Sequence, residues 1–196
     1  MGASFWHRFN PEKDFCNGLI GQAWTIEALA AYAKIFNDEE AQLLAEKVFL
    51  LHPFDGELGL WRRVNVDGSY AGLDLTFNHQ LWFAAAVGQL LPTVDSRIRN
   101  IILRFIEKIS QNLTVCNNGL IRHSIIFNKV EGERIITKMK RFARTVLIES
   151  NINPKNDKYY IKPIGYHAFN LYAFAMLKKQ LPNNTFWKSA LMDQIL

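Results

Sequence analysis

Apolar positions along the chain fall into two alternating kinds of segment. Leu19 to Phe36, Phe77 to Leu91 and Tyr166 to Leu181 are rich in Ala or Leu and apolar on nearly every face. That is the pattern of a helix buried on most sides. The segments between them are one-sided. Ile98, Ile101, Ile102, Phe105, Ile106 and Ile109 recur at helical spacing, and the opposite face carries Arg97, Arg99, Arg104, Glu107 and Lys108. This predicts a surface helix with a single buried stripe. Asp38 to Leu51 repeats the pattern through Ala41, Leu44, Val48 and Leu51. Asp38 is expected to cap that helix, with Glu39 and Glu40 favouring the positive end of its dipole. Trp187 to Leu196 predicts the start of a third helix of this kind.

The apolar helices share a signature. Gln22-Ala23-Trp24 and Gln80-Leu81-Trp82 lie 58 residues apart, and Asn170-Leu171-Tyr172 follows in the third. The connections repeat as well. Trp6-His7-Arg8-Phe9-Asn10 matches Trp61-Arg62-Arg63-Val64-Asn65, and Gly59-Leu60-Trp61-Arg62 matches Gly119-Leu120-Ile121-Arg122 after 60 residues. Val66-Asp67-Gly68-Ser69 carries the Asp-Gly signal of a tight turn. Each unit therefore reads as outer helix, short β-like arm, inner helix, with a period longer than that of common helical repeats. The predicted fold is all-α: helical hairpins in two layers, with the arms ending at the N-termini of the inner helices. Residues 1–196 form a single domain. From Gly119 to Asn170 there are about 30 residues more than from Gly59 to Gln80, which places an inserted basic helical segment at about 125–160, with a helix from Arg134 to Glu149.

Composition narrows the class. No run approaches the length of a membrane span, and the N-terminus lacks the charged and apolar regions of a signal peptide. A cytoplasmic protein with no membrane partner is expected. Cys16 and Cys116 are too few for a disulfide framework or a structural zinc site. Of the net charge of +5, much lies between Lys129 and Arg144. A nucleic-acid footprint is spread over a face and mixed with stacking aromatics; this basic segment is confined to one stretch, and no nucleic-acid partner is expected. No Gly-rich phosphate loop, nucleophile elbow or metal-binding helix motif occurs, so neither cofactor nor metal is expected.

Three stretches carry a family resemblance: Asn17-Gly18-Leu19-Ile20-Gly21-Gln22-Ala23-Trp24, the Gly-Leu-Trp-Arg arm, and Thr76-Phe77-Asn78-His79-Gln80-Leu81-Trp82. Over roughly residues 5 to 110 the chain resembles the six-hairpin glycosidase-like (α/α)6 toroids. That group includes unsaturated glucuronyl hydrolases, N-acylglucosamine epimerases and the C-terminal domains of uronyl epimerases. The resemblance is architectural, and no family catalytic motif is matched residue by residue. It implies a toroid of which this chain supplies about half. It also implies a carbohydrate ligand, and self-association or pairing with a missing half.

The candidate chemistry gathers on the arm side. Asp74 and Asp14 each precede an inner helix, where a carboxylate serves as a helix cap or as an acid or base in a sugar cleft. Asp74 and His79 are the catalytic candidates. Asn78 and Gln80 flank His79, and three polar side chains in an otherwise apolar helix need partners when buried. Trp6 and Trp61 on the arms are candidates to pack against a sugar face, with Arg62 to hold a carboxylate and His167 as a weaker candidate near the third inner helix. Trp24 and Trp82 read as core. Arg8 and Arg63 occupy matching positions and read as structural pairs to a neighbouring arm. The functional expectation is a glycan hydrolase or epimerase acting on a uronic-acid-containing or other polar sugar. The alternative is a non-catalytic helical scaffold or glycan-binding module, a truncated fragment of such an enzyme.

Overall fold

The computed structural model describes residues 4–10, 12–116, 118–125 and 158–196, with side chains from residue 164 onward in the last stretch. The chain is mainly helical with one small sheet. Helix α1 (Gly18–Phe36) ends on Asn37 in the left-handed conformation, whose N–H donates to the Ala33 carbonyl. Asn tolerates that conformation well. Asp38 follows at once and caps α2 (Glu39–Leu51) by accepting from the Ala41 N–H at 2.8 Å. Two adjacent residues thus stop one helix and start the next, closing the hairpin.

Three strands follow: β1 (Phe54–Asp55), β2 (Leu60–Val64) and β3 (Tyr70–Leu73), an antiparallel meander in that order. The expected tight turn joins β2 to β3, with Gly68 at φ 89° and the Asp67 carboxylate accepting from the Ser69 N–H at 2.9 Å. The arm expected as a β-like connection is therefore a true sheet, and the all-α expectation is corrected to that extent. Helices α3 (Phe77–Gly88) and α4 (Ser96–Asn112) form the next hairpin. Helix α5 (Lys158–Gln180) leads through a 3-10 turn (Thr185–Lys188) to α6 (Ala190–Ile195). The helix expected from Trp187 is thus broken into two short pieces. The Arg134–Glu149 helix, and nearly all of the inserted segment, lie outside the described residues.

Helix α3 sits between α1 and α5 and is buried at every position except His79. The three run the same way: Gly18 at the start of α1 lies by His79 and Lys34 at its end reaches the Gln89 carbonyl at 3.1 Å, while the start of α3 is tied through His123 to Tyr166 of α5 and its end at Gly88 abuts Leu177. Their N-termini therefore share one rim. The stripe of α4, with Ile98, Ile102, Phe105 and Ile109, is buried as its spacing predicts. Trp82 is core as expected, but Trp24 is 49% exposed. Trp82 packs against Phe169 and Tyr172 of α5, whereas the matching Trp24 meets the edge of the His7 ring.

Candidate functional site

The rim is built by arms laid across the starts of the inner helices. Gln22 and Gln80, both fully buried, fasten the arms in the same way. The Gln80 amide accepts from the Trp61 N–H at 2.9 Å and donates to the carbonyls of Trp61 at 3.0 Å and Asp74 at 2.7 Å. Gln22 accepts from the Phe5 N–H at 2.8 Å and donates to the carbonyls of Phe5 at 2.9 Å and Cys16 at 3.1 Å. A buried amide needs about this many partners to offset its lost hydration.

This equivalence corrects the arm alignment by one residue. Trp61 corresponds to Phe5, and Trp6 to Arg62. Trp61 is fully buried, its ring within 4.7–5.5 Å of Phe49, Phe54, Phe83 and Phe105. It is a core residue and not the sugar platform expected of it. Trp6 is half exposed, but one face stacks on Phe15 at 4.6 Å and its indole N–H is held by the Arg8 carbonyl. Gln80, expected as a sugar ligand, has its amide committed to backbone.

Asp14 is also committed. Its carboxylate meets Arg8 at 3.0 Å and Arg63 at 3.3 Å, and accepts from the Gly18 N–H at 2.7 Å and the Cys16 thiol at 3.3 Å. Burial acts to raise its pKa, but these donors and cations outweigh it and hold the group below the usual carboxylate range. In the corrected register Arg8 and Arg63 no longer match, yet both converge on this carboxylate, Arg8 from its own arm and Arg63 from the neighbouring one, so that Asp14 ties two arms together. Burial, and after it the same carboxylate, push the Cys16 thiol up to about 11, so it stays protonated.

Asp74 and His79 come together. Asp74 Oδ2 accepts from His79 Nδ1 at 2.9 Å and from the Leu19 N–H at 3.0 Å, and Oδ1 accepts from the Thr76 N–H at 3.1 Å. Asp74 is 5% exposed. Burial alone would raise its pKa, but His79 and the two backbone donors more than reverse this, so the carboxylate is ionised. The close approach depends on Gly18, at φ 59°, where an added Cβ would lie 2.6 Å from Asp74 Oδ2 and 3.1 Å from His79 Nδ1. The pair therefore sits where the first turns of α1 and α3 meet. His79 keeps part of its side chain open to solvent. With Nδ1 bound to Asp74, Nε2 is the ring nitrogen left to exchange a proton.

Of the polar trio, Asn78 alone has an unmet group: its amide oxygen is buried without a hydrogen-bond partner. Arg62 is exposed and forms no ion pair among the described residues, and its Cα pairs with Leu73, the residue before Asp74. His167 lies on α5, with Nδ1 buried and unpartnered. Its neighbour Tyr166 stacks on His123 at 4.8 Å, and the His123 carbonyl accepts from the Phe77 N–H that opens α3.

Two residues near the pair went unread in the sequence. Gly18 lies one 58-residue period before Thr76 and is the first residue of α1. His52 closes α2 and is buried against the Phe83 ring at 5.0 Å, with Nδ1 donating to the Arg62 carbonyl at 3.1 Å. Burial drives its pKa down to about 4, although the Arg62 carbonyl and the Asp74 charge pull the other way. Only its place before Pro53, at the end of a helix feeding the arm, could have flagged it.

Among the described residues no group of three or more His, Cys, Asp or Glu is placed to hold a metal ion. Nor is any helix among them long and apolar enough to cross a membrane. No family model matches the chain, and no solved structure matches it. A protein of Haloferax volcanii, archaeal glycosylation protein Q, is 39% identical over 201 residues, a match that takes in all of this chain and 54% of that protein. The chain thus spans about half the length of the curated relative it matches.

Proposed function

We propose that the chain is part of an α/α toroid that acts on a uronic-acid-containing glycan in a glycosylation pathway, by proton transfer in the manner of an epimerase. The observation that carries this reading is the Asp74–His79 pair at the shared rim. A buried, ionised carboxylate that holds a partly open imidazole by Nδ1 makes Nε2 a base. The similarity to a glycosylation protein supports the sugar.

Hydrolysis is less well supported. It commonly needs two carboxyl groups facing the bond, one of them protonated. Asp74 is held ionised with both oxygens occupied, and Asp14 is locked between two arginines. Removal of the C5 proton of a uronate needs one base and a cation for the adjoining carboxylate. His79 Nε2 takes the proton. The electron pair left at C5 delocalises into the carboxylate, where Arg62 neutralises the added charge. A proton returned from solvent to the opposite face completes inversion at C5.

The test is incubation of the full chain with glucuronate-containing oligosaccharides in deuterated water, read by proton NMR. Deuterium is expected at C5 with the native chain and not with His79→Gln. An absence of exchange in every uronide overturns the reading, and release of reducing ends without exchange returns hydrolysis in its place.

A further inference from the structure

Glu27 is the only acidic side chain in the 19 residues of α1, and it lies midway along the helix. It is half-buried, and a carboxylate in a mainly apolar layer needs partners in place of its lost hydration. One comes from α3, where the Trp82 indole N–H donates to Glu27 Oε2 at 2.8 Å. Neither a donor nor a cation among the described residues meets Oε1. From the opposite neighbour of α3, helix α5, two rings meet the same indole: Phe169 at 5.7 Å and Tyr172 at 5.5 Å. Both rings are about half exposed. Trp82 follows His79 by three residues, so it shares that face of α3 and lies about one turn further in. A carboxylate oxygen and two open aromatic rings therefore stand one step inward of the Asp74–His79 pair.

We propose that Glu27, Trp82, Phe169 and Tyr172 form a subsite for a neutral sugar beside the uronate. The preferred ligand is then a uronate joined to an uncharged hexose, not to a second uronate. This rests on the reading of Asp74 and His79 as a uronate site. The chemistry of the group favours that occupant. Open Phe and Tyr rings offer apolar faces to the C–H side of a pyranose. Glu27 Oε1 is an acceptor for its hydroxyl donors. The Trp82 N–H fixes the carboxylate, so the open oxygen is placed before the ligand arrives. A second uronate would bring its own carboxylate beside Glu27, which no cation among the described residues pairs with. Like charges at close quarters select against it. A mere tie between α1 and α3 accounts for Oε2, but for neither the open Oε1 nor the half-exposed α5 rings.

Calorimetric titration of the full chain with two disaccharides tests it: glucuronate linked to glucose, and glucuronate linked to glucuronate. The mixed disaccharide is expected to bind more tightly by about tenfold or more. Glu27→Gln keeps an acceptor for the Trp82 N–H and should bring the two affinities within about threefold, chiefly by admitting the diuronide. Tyr172→Ala, at an exposed position, should weaken the mixed disaccharide by about three- to tenfold. Unchanged helical circular dichroism shows that both variants are folded. Equal affinities in the native chain overturn the proposal, as does a native chain that binds neither sugar. So do a preference that Glu27→Gln leaves intact and a Tyr172→Ala chain that binds as the native one does. Titration reads binding alone and so separates this proposal from the C5 chemistry. Loss of exchange with the preference intact removes the proton transfer and keeps the subsite; exchange without preference does the reverse.

Discussion

Acidification from pH 7 to pH 4 should destabilise the fold through His52. The ring is buried under β2, one nitrogen donating to the Arg62 carbonyl and the other without a partner. Folded, it takes up a proton only at about 4; unfolded, it does so near 6.5. Between those values the unfolded chain binds the extra proton, so stability falls as pH falls. The slope is about 1.4 kcal/mol per pH unit, and the loss across the window is about 3 kcal/mol. Below pH 4 both states are protonated and this contribution is flat. The assay is urea unfolding at a series of pH values for the native chain and His52→Leu. The variant loses a buried hydrogen bond, about 1–3 kcal/mol at pH 7, but carries no such slope. The difference between the two should therefore move by about 3 kcal/mol in the variant's favour by pH 4, closing or reversing the gap. His7, also shifted down by burial, and Asp74, which is lost at lower pH, act in both proteins and cancel in the difference. Parallel stability profiles would refute the burial of a neutral His52.

Two further outcomes follow from the rim. Gln80→Met keeps the volume but strips three backbone groups of their partners, and should lower unfolding stability by about 3 kcal/mol or more in urea; Gln22→Met should behave alike, since its amide makes the matching set of bonds. Gly18→Ala forces a side chain into a left-handed site and against Asp74, at a cost of about 1–2 kcal/mol. It should also abolish the hydrogen-bonded Nδ1 proton resonance of His79 in NMR, which a purely local backbone strain would leave in place.

The hairpins were legible because their information is periodic. The stripe of α4, the Asp38 cap and the Asp67-Gly68 turn each depend on residues a few positions apart. The Asp74–His79 pair was legible for the same reason, five residues separating its members. Its division of roles was not, because the donors that keep Asp74 ionised include the Leu19 N–H from another repeat. Trp61 was misread for a related cause. In an extended arm one residue of register exchanges inside for outside, and only the bonds to Gln22 and Gln80 set that register. Gln80 itself announced a need for partners but not that the backbone would meet it.

The bonds that fasten each arm differ in reach from those that build the pair. Gln22 to Phe5 and Gln80 to Trp61 span 17 and 19 residues, short loops that close early and cheaply as the chain folds. Leu19 to Asp74 and Asp14 to Arg63 span 55 and 49. Each unit can therefore complete its own clamp before it meets its neighbour, whereas the ionised Asp74 acquires its full set of donors only after two units dock. The assembled Asp74–His79 pair is then a property of the junction, acquired after the clamps in folding and exposed to loss in local opening. Hydrogen exchange at the Leu19 amide reports it directly.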